Sequence, residues 1–165
     1  MTEHSKTSHI LILISRYYAD VAEELLKGTK AALDQANATY EVFDVSGALE
    51  IPQALATAVD NGLFDDEPET YFHGAIALGC VIRGETSHYD IVAGESAGAL
   101  MRLAVNECIP FGNGILTVES HAQAMVRANV SEKNKGRDAA EACLGLVRLA
   151  DKFAAIADDE ADEDV

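Results

Sequence analysis

"HILILIS" (residues 9–15) places five branched or long aliphatic residues in a row with no polar alternation. A run this short and this continuous belongs to a strand buried on both faces, because a half-wet strand would alternate. Strands of that kind build parallel sheets covered by helices on each side. The segments downstream obey the same logic. Residues 19–36 carry Val21, Ala22, Leu25, Leu26, Thr29, Ala32 and Leu33 at helical spacing. "TYEVFDV" (39–45) predicts a strand, and "EIPQALATAVDNG" (50–62) a helix with Pro52 in its first turn and Gly62 at its end.

"YFHGAIALGCVI" (71–82) predicts the third strand and "SHYDIVAGESAGALMRLAVNECI" (87–109) a long helix with little charge. "PFGNGILTVES" (110–120) supplies the fourth strand, followed by helices over about 121–129 and 134–154. Strands alternating with helices imply right-handed βαβ crossovers. The expected fold is α/β, a three-layer α-β-α sandwich around a four-stranded parallel sheet, flavodoxin-like in kind. Its domain spans residues 9–154, after a flexible N-terminus (1–8). Ligands of such folds gather at the carboxyl ends of the strands, here "SRYYAD", "VSGALE", "VIRGETSHYD" and "TVESHAQ".

Composition excludes several classes of function. The net charge is −16, with six acidic residues in "DDEADEDV" (158–165), so −10 remains on residues 1–157. No basic stripe of the kind a nucleic-acid binder needs is present. The acidic end, residues 155–165, reads as a disordered tail. No apolar run approaches the roughly 20 residues of a membrane span, and the N-terminus lacks the signal-peptide pattern, so a cytoplasmic protein is expected. Cys80, Cys108 and Cys143 form no CxxC or Cys/His pair of metal-ligand spacing. Neither a disulfide nor a metal site is expected, and each cysteine reads as a small core hydrophobe.

The chemistry-bearing residues concentrate after the third strand. In "RGETSHYD" (83–90), Gly84 allows a sharp turn and close approach of a ligand. Thr86 or Ser87 can cap the next helix, and Ser87 with Asp90 has capping-box spacing. A helix start offers free N–H groups and positive dipole to an anion. His88 in the first turn is a residue type that can exchange protons near neutrality. A capped surface helix with an exposed histidine explains the same residues. Arg127 and Lys135 could hold an anion or simply complement a helix end; Glu50 could serve its own helix N-terminus. Tyr17 could stack on a planar ligand or pack at a strand end. Gly94 and Gly98, costly inside a helix, suggest close approach by another subunit or by an element of the same chain.

Taken together, "VSGALEIP", "GCVIRGETSHYD", "NGILTVE" and "NKG" (134–136), with the spacing between them, resemble lumazine synthases from about residue 9 to 153. These enzymes condense 5-amino-6-(D-ribitylamino)uracil with 3,4-dihydroxy-2-butanone 4-phosphate to 6,7-dimethyl-8-ribityllumazine, the penultimate step of riboflavin synthesis. The resemblance implies that His88 transfers protons and that Gly84, Glu85, Thr86 and Arg127 bind the phosphate, with Lys135 nearby. It implies that Tyr17 stacks on the pyrimidine, beside Ala48, Leu49, Glu50, Cys80, Val81 and Ile82. Leu49 and Asn113 stand where many relatives carry aromatics, which thins the apolar wall around the substrate. No hydride moves in the reaction, so no cofactor is implied.

The resemblance also implies a homopentamer with active sites between subunits. Tyr17, Glu50 and His88 would come from one subunit and Asn113, Arg127 and Lys135 from the next. "NVSEKNKG" (129–136) lacks two glycines found at this linker in shell-forming relatives, which favours a free pentamer or a dimer of pentamers. The alternative is a non-catalytic lumazine- or flavin-binding paralogue, motivated by Leu49 and Asn113.

Overall fold

The computed structural model describes residues 7–65 and 70–163. The central strands are β1 (His9–Ser15), β2 (Thr39–Val45), β3 (Gly74–Ile82) and β4 (Phe111–Val118). They form one parallel sheet in the order β2-β1-β3-β4. The helices are α1 (Ala19–Gln35), α2 (Glu50–Asp60), α3 (His88–Asn106), α4 (His121–Ala128) and α5 (Lys135–Glu163).

β1 shows why the sheet is covered twice. Ile10, Ile12 and Ile14 enter one core with α1, α4 and α5, whose contributions include Leu25, Ala124 and Ala139. Leu11 and Leu13 enter the other, with Ile51 and Leu55 of α2 and Leu100 of α3. Successive side chains on a strand point to opposite faces, so an unbroken apolar run feeds both cores at once. The three-layer α-β-α sandwich predicted from the sequence is the architecture adopted.

The first crossover runs from β1 outward to β2, and the last from β3 outward to β4 on the opposite side. The direction of winding therefore reverses between β1 and β3. Helices leaving the two strands diverge there, and a crevice opens at their carboxyl ends.

Close approach of α5 to α1 and to the sheet depends on glycines. A Cβ on Gly136 would collide with the Leu25 carbonyl of α1, and one on Gly112 with the Ala139 carbonyl of α5. Thr29, fully buried on α1, donates from its hydroxyl to the Leu25 and Gly136 carbonyls at 2.9 Å each.

Three differences from the sequence expectations have physical causes, and one open alternative is narrowed. The third strand begins at Gly74, not Tyr71, because the Phe72 and His73 amides donate to Leu63 and His9 carbonyls outside the β3 ladder. Cys80 and Cys143 are buried as expected, but Cys108 is exposed. It ends α3 in the left-handed region (φ 53°), where its own amide donates to the Val105 carbonyl and that of Ile109 to Ala104. That is the Schellman pattern usually given to glycine, which turns the thiol outward. Next, among the described residues nothing packs on Gly94, and a Cβ on Gly98 would meet Arg102 of the same helix and no other described residue. Close packing within the chain does not account for these glycines.

Finally, α5 continues through Glu163, where the sequence predicts a disordered tail from residue 155. After Gly145 no glycine or proline interrupts it, and Ala154, Ala155 and Ala157 are strong helix formers. The side chains of residues 151–159 are all exposed. Of the flexible N-terminus expected over residues 1–8, residues 1–6 lie outside the described residues.

Candidate active site

A cleft of about 510 Å³ occupies the crevice between β1 and β3, a size suited to small organic molecules. Three segments build it. The chain leaving β1 contributes Tyr17 and Tyr18, and the segment between β2 and α2 contributes Ser46 to Glu50. The end of β3 contributes Cys80, Val81 and Ile82, and the β3–α3 turn adds Gly84, Thr86, His88, Tyr89 and Val92.

β3 is open along part of this wall. Its pairing with β1 stops at Leu78, whereas its pairing with β4 continues to Ile82. Main-chain polar groups on the β1 side of residues 79–82 therefore have no ladder partner, and they face the cleft that Cys80, Val81 and Ile82 line. Unpaired main-chain donors and acceptors are what a polar heterocycle can use. The Cys80 thiol beside them is pushed up to about 11 by burial, with a smaller contribution from Asp20. It is a wall and not a nucleophile at neutral pH.

The β3–α3 turn holds more unused donors. The Arg83 amide still belongs to the ladder, donating to the Val118 carbonyl at 3.0 Å. The amides of Gly84, Glu85, Thr86 and Ser87 donate to no described residue. Helix geometry leaves such groups without intrahelical acceptors, and their dipoles add at the helix start. The predicted capping box does not form: Ser87 makes no side-chain cap. Instead the Thr86 hydroxyl accepts from the His88 amide at 3.3 Å, and Asp90 turns to Arg83. Gly84 is not in the left-handed region, and a Cβ there would meet nothing within 4 Å. The turn itself does not require glycine; what glycine leaves is space on the cleft side.

His88 follows this turn, exposed, with no hydrogen bond or ion pair from its imidazole to any described residue. Glu50 lies across the cleft in the first turn of α2, its carboxylate folded over Gly47. Ala48 is buried, and Leu49 sits half-buried beside it. Tyr17 is 75 % exposed, its ring against Tyr18 with centroids 5.1 Å apart. Tyr18 packs into the core on its other side, and burial raises its hydroxyl pKa. One aromatic of the pair is anchored; the other forms the rim.

The fold thus gathers Tyr17, Ala48, Leu49, Glu50, Cys80, Val81, Ile82, Gly84, Thr86 and His88 around one space, with Glu85 in the same turn. It does not bring Asn113, Arg127 or Lys135 there. Asn113, on β4 opposite Ala77, is exposed, and its side-chain carbonyl accepts from the Ile115 amide at 3.0 Å. Arg127, in the last turn of α4, donates to the Gln123 carbonyl at 3.1 Å. Lys135 pairs with Asp138 at 2.6 Å. Among cleft residues the sequence did not single out, Tyr89 adjoins His88 and Ser46 and Gly47 adjoin Ala48. Their neighbourhood was the available signal. No group of three metal-ligating side chains exists among the described residues.

Residues 7–151 match the family described as 6,7-dimethyl-8-ribityllumazine synthase. The chain is 54 % identical over 142 residues to the enzyme of that name from Methylorubrum populi, covering 86 % of this chain and 82 % of that one. It is 53 % identical over 145 residues to the one from Agrobacterium fabrum, covering 88 % and 96 %. A third, named 6,7-dimethyl-8-ribityllumazine synthase 1, from Rhizobium meliloti, is 52 % identical over 150 residues, covering 91 % and 96 %. With the match spanning nearly the whole sandwich and every segment of the cleft, this chain belongs to the 6,7-dimethyl-8-ribityllumazine synthase family.

Proposed function

We propose that this protein condenses 5-amino-6-(D-ribitylamino)uracil with 3,4-dihydroxy-2-butanone 4-phosphate to 6,7-dimethyl-8-ribityllumazine, releasing phosphate and water. The observation that carries the reading is the β3–α3 turn: four amides without acceptors stand directly before an imidazole without partners among the described residues. An anion satisfies the first group and proton transfer uses the second.

The division of labour follows from the chemistry. The pyrimidine's 5-amino group attacks the ketone and water leaves to form an imine. Phosphate is then eliminated, the enol tautomerises, and the ribitylamino nitrogen closes the second ring with loss of another water. His88 carries protons between these positions, which as general acid–base catalysis contributes about 10²–10⁴-fold. Gly84, Glu85 and Thr86 receive the phosphate with their amides. Ala48, Leu49 and Glu50 and the open edge of Cys80, Val81 and Ile82 hold the pyrimidine, under the ring of Tyr17. Holding both reactants together is the larger effect, of order 7–11 kcal/mol.

Asn113, Arg127 and Lys135 enter the cleft of a neighbouring subunit in a homopentamer. Their absence from the cleft of their own chain and the uncovered face of α3 at Gly94 support that assembly. Arg127 presents the planar fork that suits phosphate oxygens. The reaction is placed in the cytoplasm, in keeping with three free thiols; no described helix is long and apolar enough to cross a membrane.

Mixing the two substrates with the purified protein and following the fluorescent lumazine tests the reading. Product formation that is strongly slowed by His88→Ala is expected. Absence of product from the unsubstituted chain, with both substrates bound, would favour a non-catalytic binder.

A further inference from the structure

We propose that Arg83 is a positioning residue for this reaction, keeping the chain's own Asp90 out of the anion site at the start of α3. The inference rests on the reading above, that the Gly84–Ser87 turn receives the phosphate.

One side chain ties three elements here. Arg83 leaves the end of β3, and its Nε donates to both carboxylate oxygens of Glu119 at 3.2 and 3.1 Å, just beyond β4. Its Nη1 donates to both oxygens of Asp90 at 3.3 and 3.4 Å, in the first turn of α3. The guanidinium carbon lies 4.1 Å from the centroid of the Tyr89 ring, which lines the cleft. Only a planar fork can serve two carboxylates while lying over an aromatic face.

What this arrangement prevents matters more than what it holds. Asp90 stands three residues after Ser87, the residue before α3. In a capping box an acid at that position reaches back to the amide of the residue before the helix. Asp90 within reach of those donors would place an internal carboxylate where the phosphate is to bind. Drawn to Arg83, it leaves the amides of residues 84–87 open. The guanidinium is already shared between two carboxylates, so it is not itself the free cation of the site. Exposed ion pairs contribute little to stability. The clamp therefore acts on affinity for the anion, not on folding.

The test uses the full chain and steady-state kinetics with both substrates, for Arg83→Met, Arg83→Lys and the double variant Arg83→Met/Asp90→Asn. Arg83→Met raises KM for the butanone phosphate about tenfold, with kcat within about threefold and KM for the pyrimidine within about twofold. The double variant returns KM for the butanone phosphate to within about threefold of the starting protein, because the Asp90 carboxylate, the one in the first turn of α3, is no longer there to compete. Arg83→Lys, which keeps the charge but not the fork, stays close to Arg83→Met; it also carries the test if Arg83→Met does not fold.

An unchanged KM in both single variants overturns the proposal. So does full rescue by lysine, which would reduce the role to charge. A double variant as weak as Arg83→Met overturns it too, since Arg83 would then touch phosphate directly or serve structure alone. Loss of product from the unsubstituted protein would instead defeat the functional reading, so the two failures are separable.

Discussion

The two ends of the same sheet each carry a histidine among aromatic and acidic side chains, and they differ in what is left over. At the amino end, the His9 imidazole meets the Thr39 hydroxyl at 2.7 Å with Nδ1 and Glu41 at 3.2 Å with Nε2. Its ring stacks on Phe72, centroids 5.1 Å apart and planes within 12°, with Tyr71 edge-on. The Tyr71 hydroxyl donates to Glu41 at 2.6 Å. That hydrogen bond, then His9, holds the Glu41 carboxyl below the usual range. At the carboxyl end His88 has no such partner among the described residues, nor have the four amides beside it an acceptor there. A satisfied polar cluster contributes to stability; an unsatisfied one facing a cleft contributes binding and chemistry.

The comparison can be broken at several points, and the largest effects should fall at the carboxyl end. Arg127→Ala is expected to lower kcat/KM for the butanone phosphate by about 10³-fold, within the 2–5 kcal/mol typical of truncating one partner of a hydrogen-bonded charge pair. His88→Ala should slow turnover by less, about 10²-fold, the low end for an acid–base group. Unchanged affinity for the butanone phosphate in the Arg127 variant would remove that residue from the site.

At the amino end the expectation inverts. Phe72, 2 % exposed, should cost about 3–5 kcal/mol on truncation to alanine, read as a lower urea midpoint. Turnover per folded molecule should stay within about twofold. A large loss of turnover in folded Phe72→Ala would mean that the two ends are coupled.

Gly84→Ala sharpens the contrast at intermediate size. A Cβ there meets no protein atom, so the melting temperature should hold within about 2 °C while KM for the butanone phosphate rises several-fold. Unaltered kinetics would place the phosphate elsewhere.

The smallest effect concerns Glu41. Because its folded pKa is lowered, its contribution is present above the ordinary carboxylate pKa and is lost as pH falls through the folded value. Glu41→Gln should therefore lower thermal stability slightly at pH 7 and not at all in strong acid. Equal melting temperatures for the two proteins at pH 7 would show that the cluster contributes nothing.

Much of this was legible beforehand because it depends on local pattern. The apolar run of residues 10–14 specified a strand with two buried faces, and the helical spacing of Val21, Leu25 and Leu33 specified its cover. "RGETSHYD" announced a helix start with a proton carrier. What stayed hidden depends on which side chains meet. Ser87 and Asp90 have capping-box spacing, yet Arg83 captures Asp90, because a distant Glu119 helps to hold the guanidinium in place. Cys108 looked like core, but the end of α3 needs a residue at φ 53° there and turns the thiol to solvent. Residues 155–163 read as a disordered tail, since charge dominates their composition; the uninterrupted helical ladder of α5 carries through them instead.

The sequence by itself determined the alternation of strands and helices, the burial of both sheet faces and the residue types available at the strand ends. Periodicity of 2 and 3.6 residues writes those directly into the chain. The tertiary structure decided the strand order, hence the reversal of winding that opens the cleft between β1 and β3. It also decided which polar groups are consumed by neighbours, as at His9, and which remain free, as at His88. Those outcomes depend on contacts between residues far apart in the chain, such as Arg83 with Glu119, and no local pattern contains them.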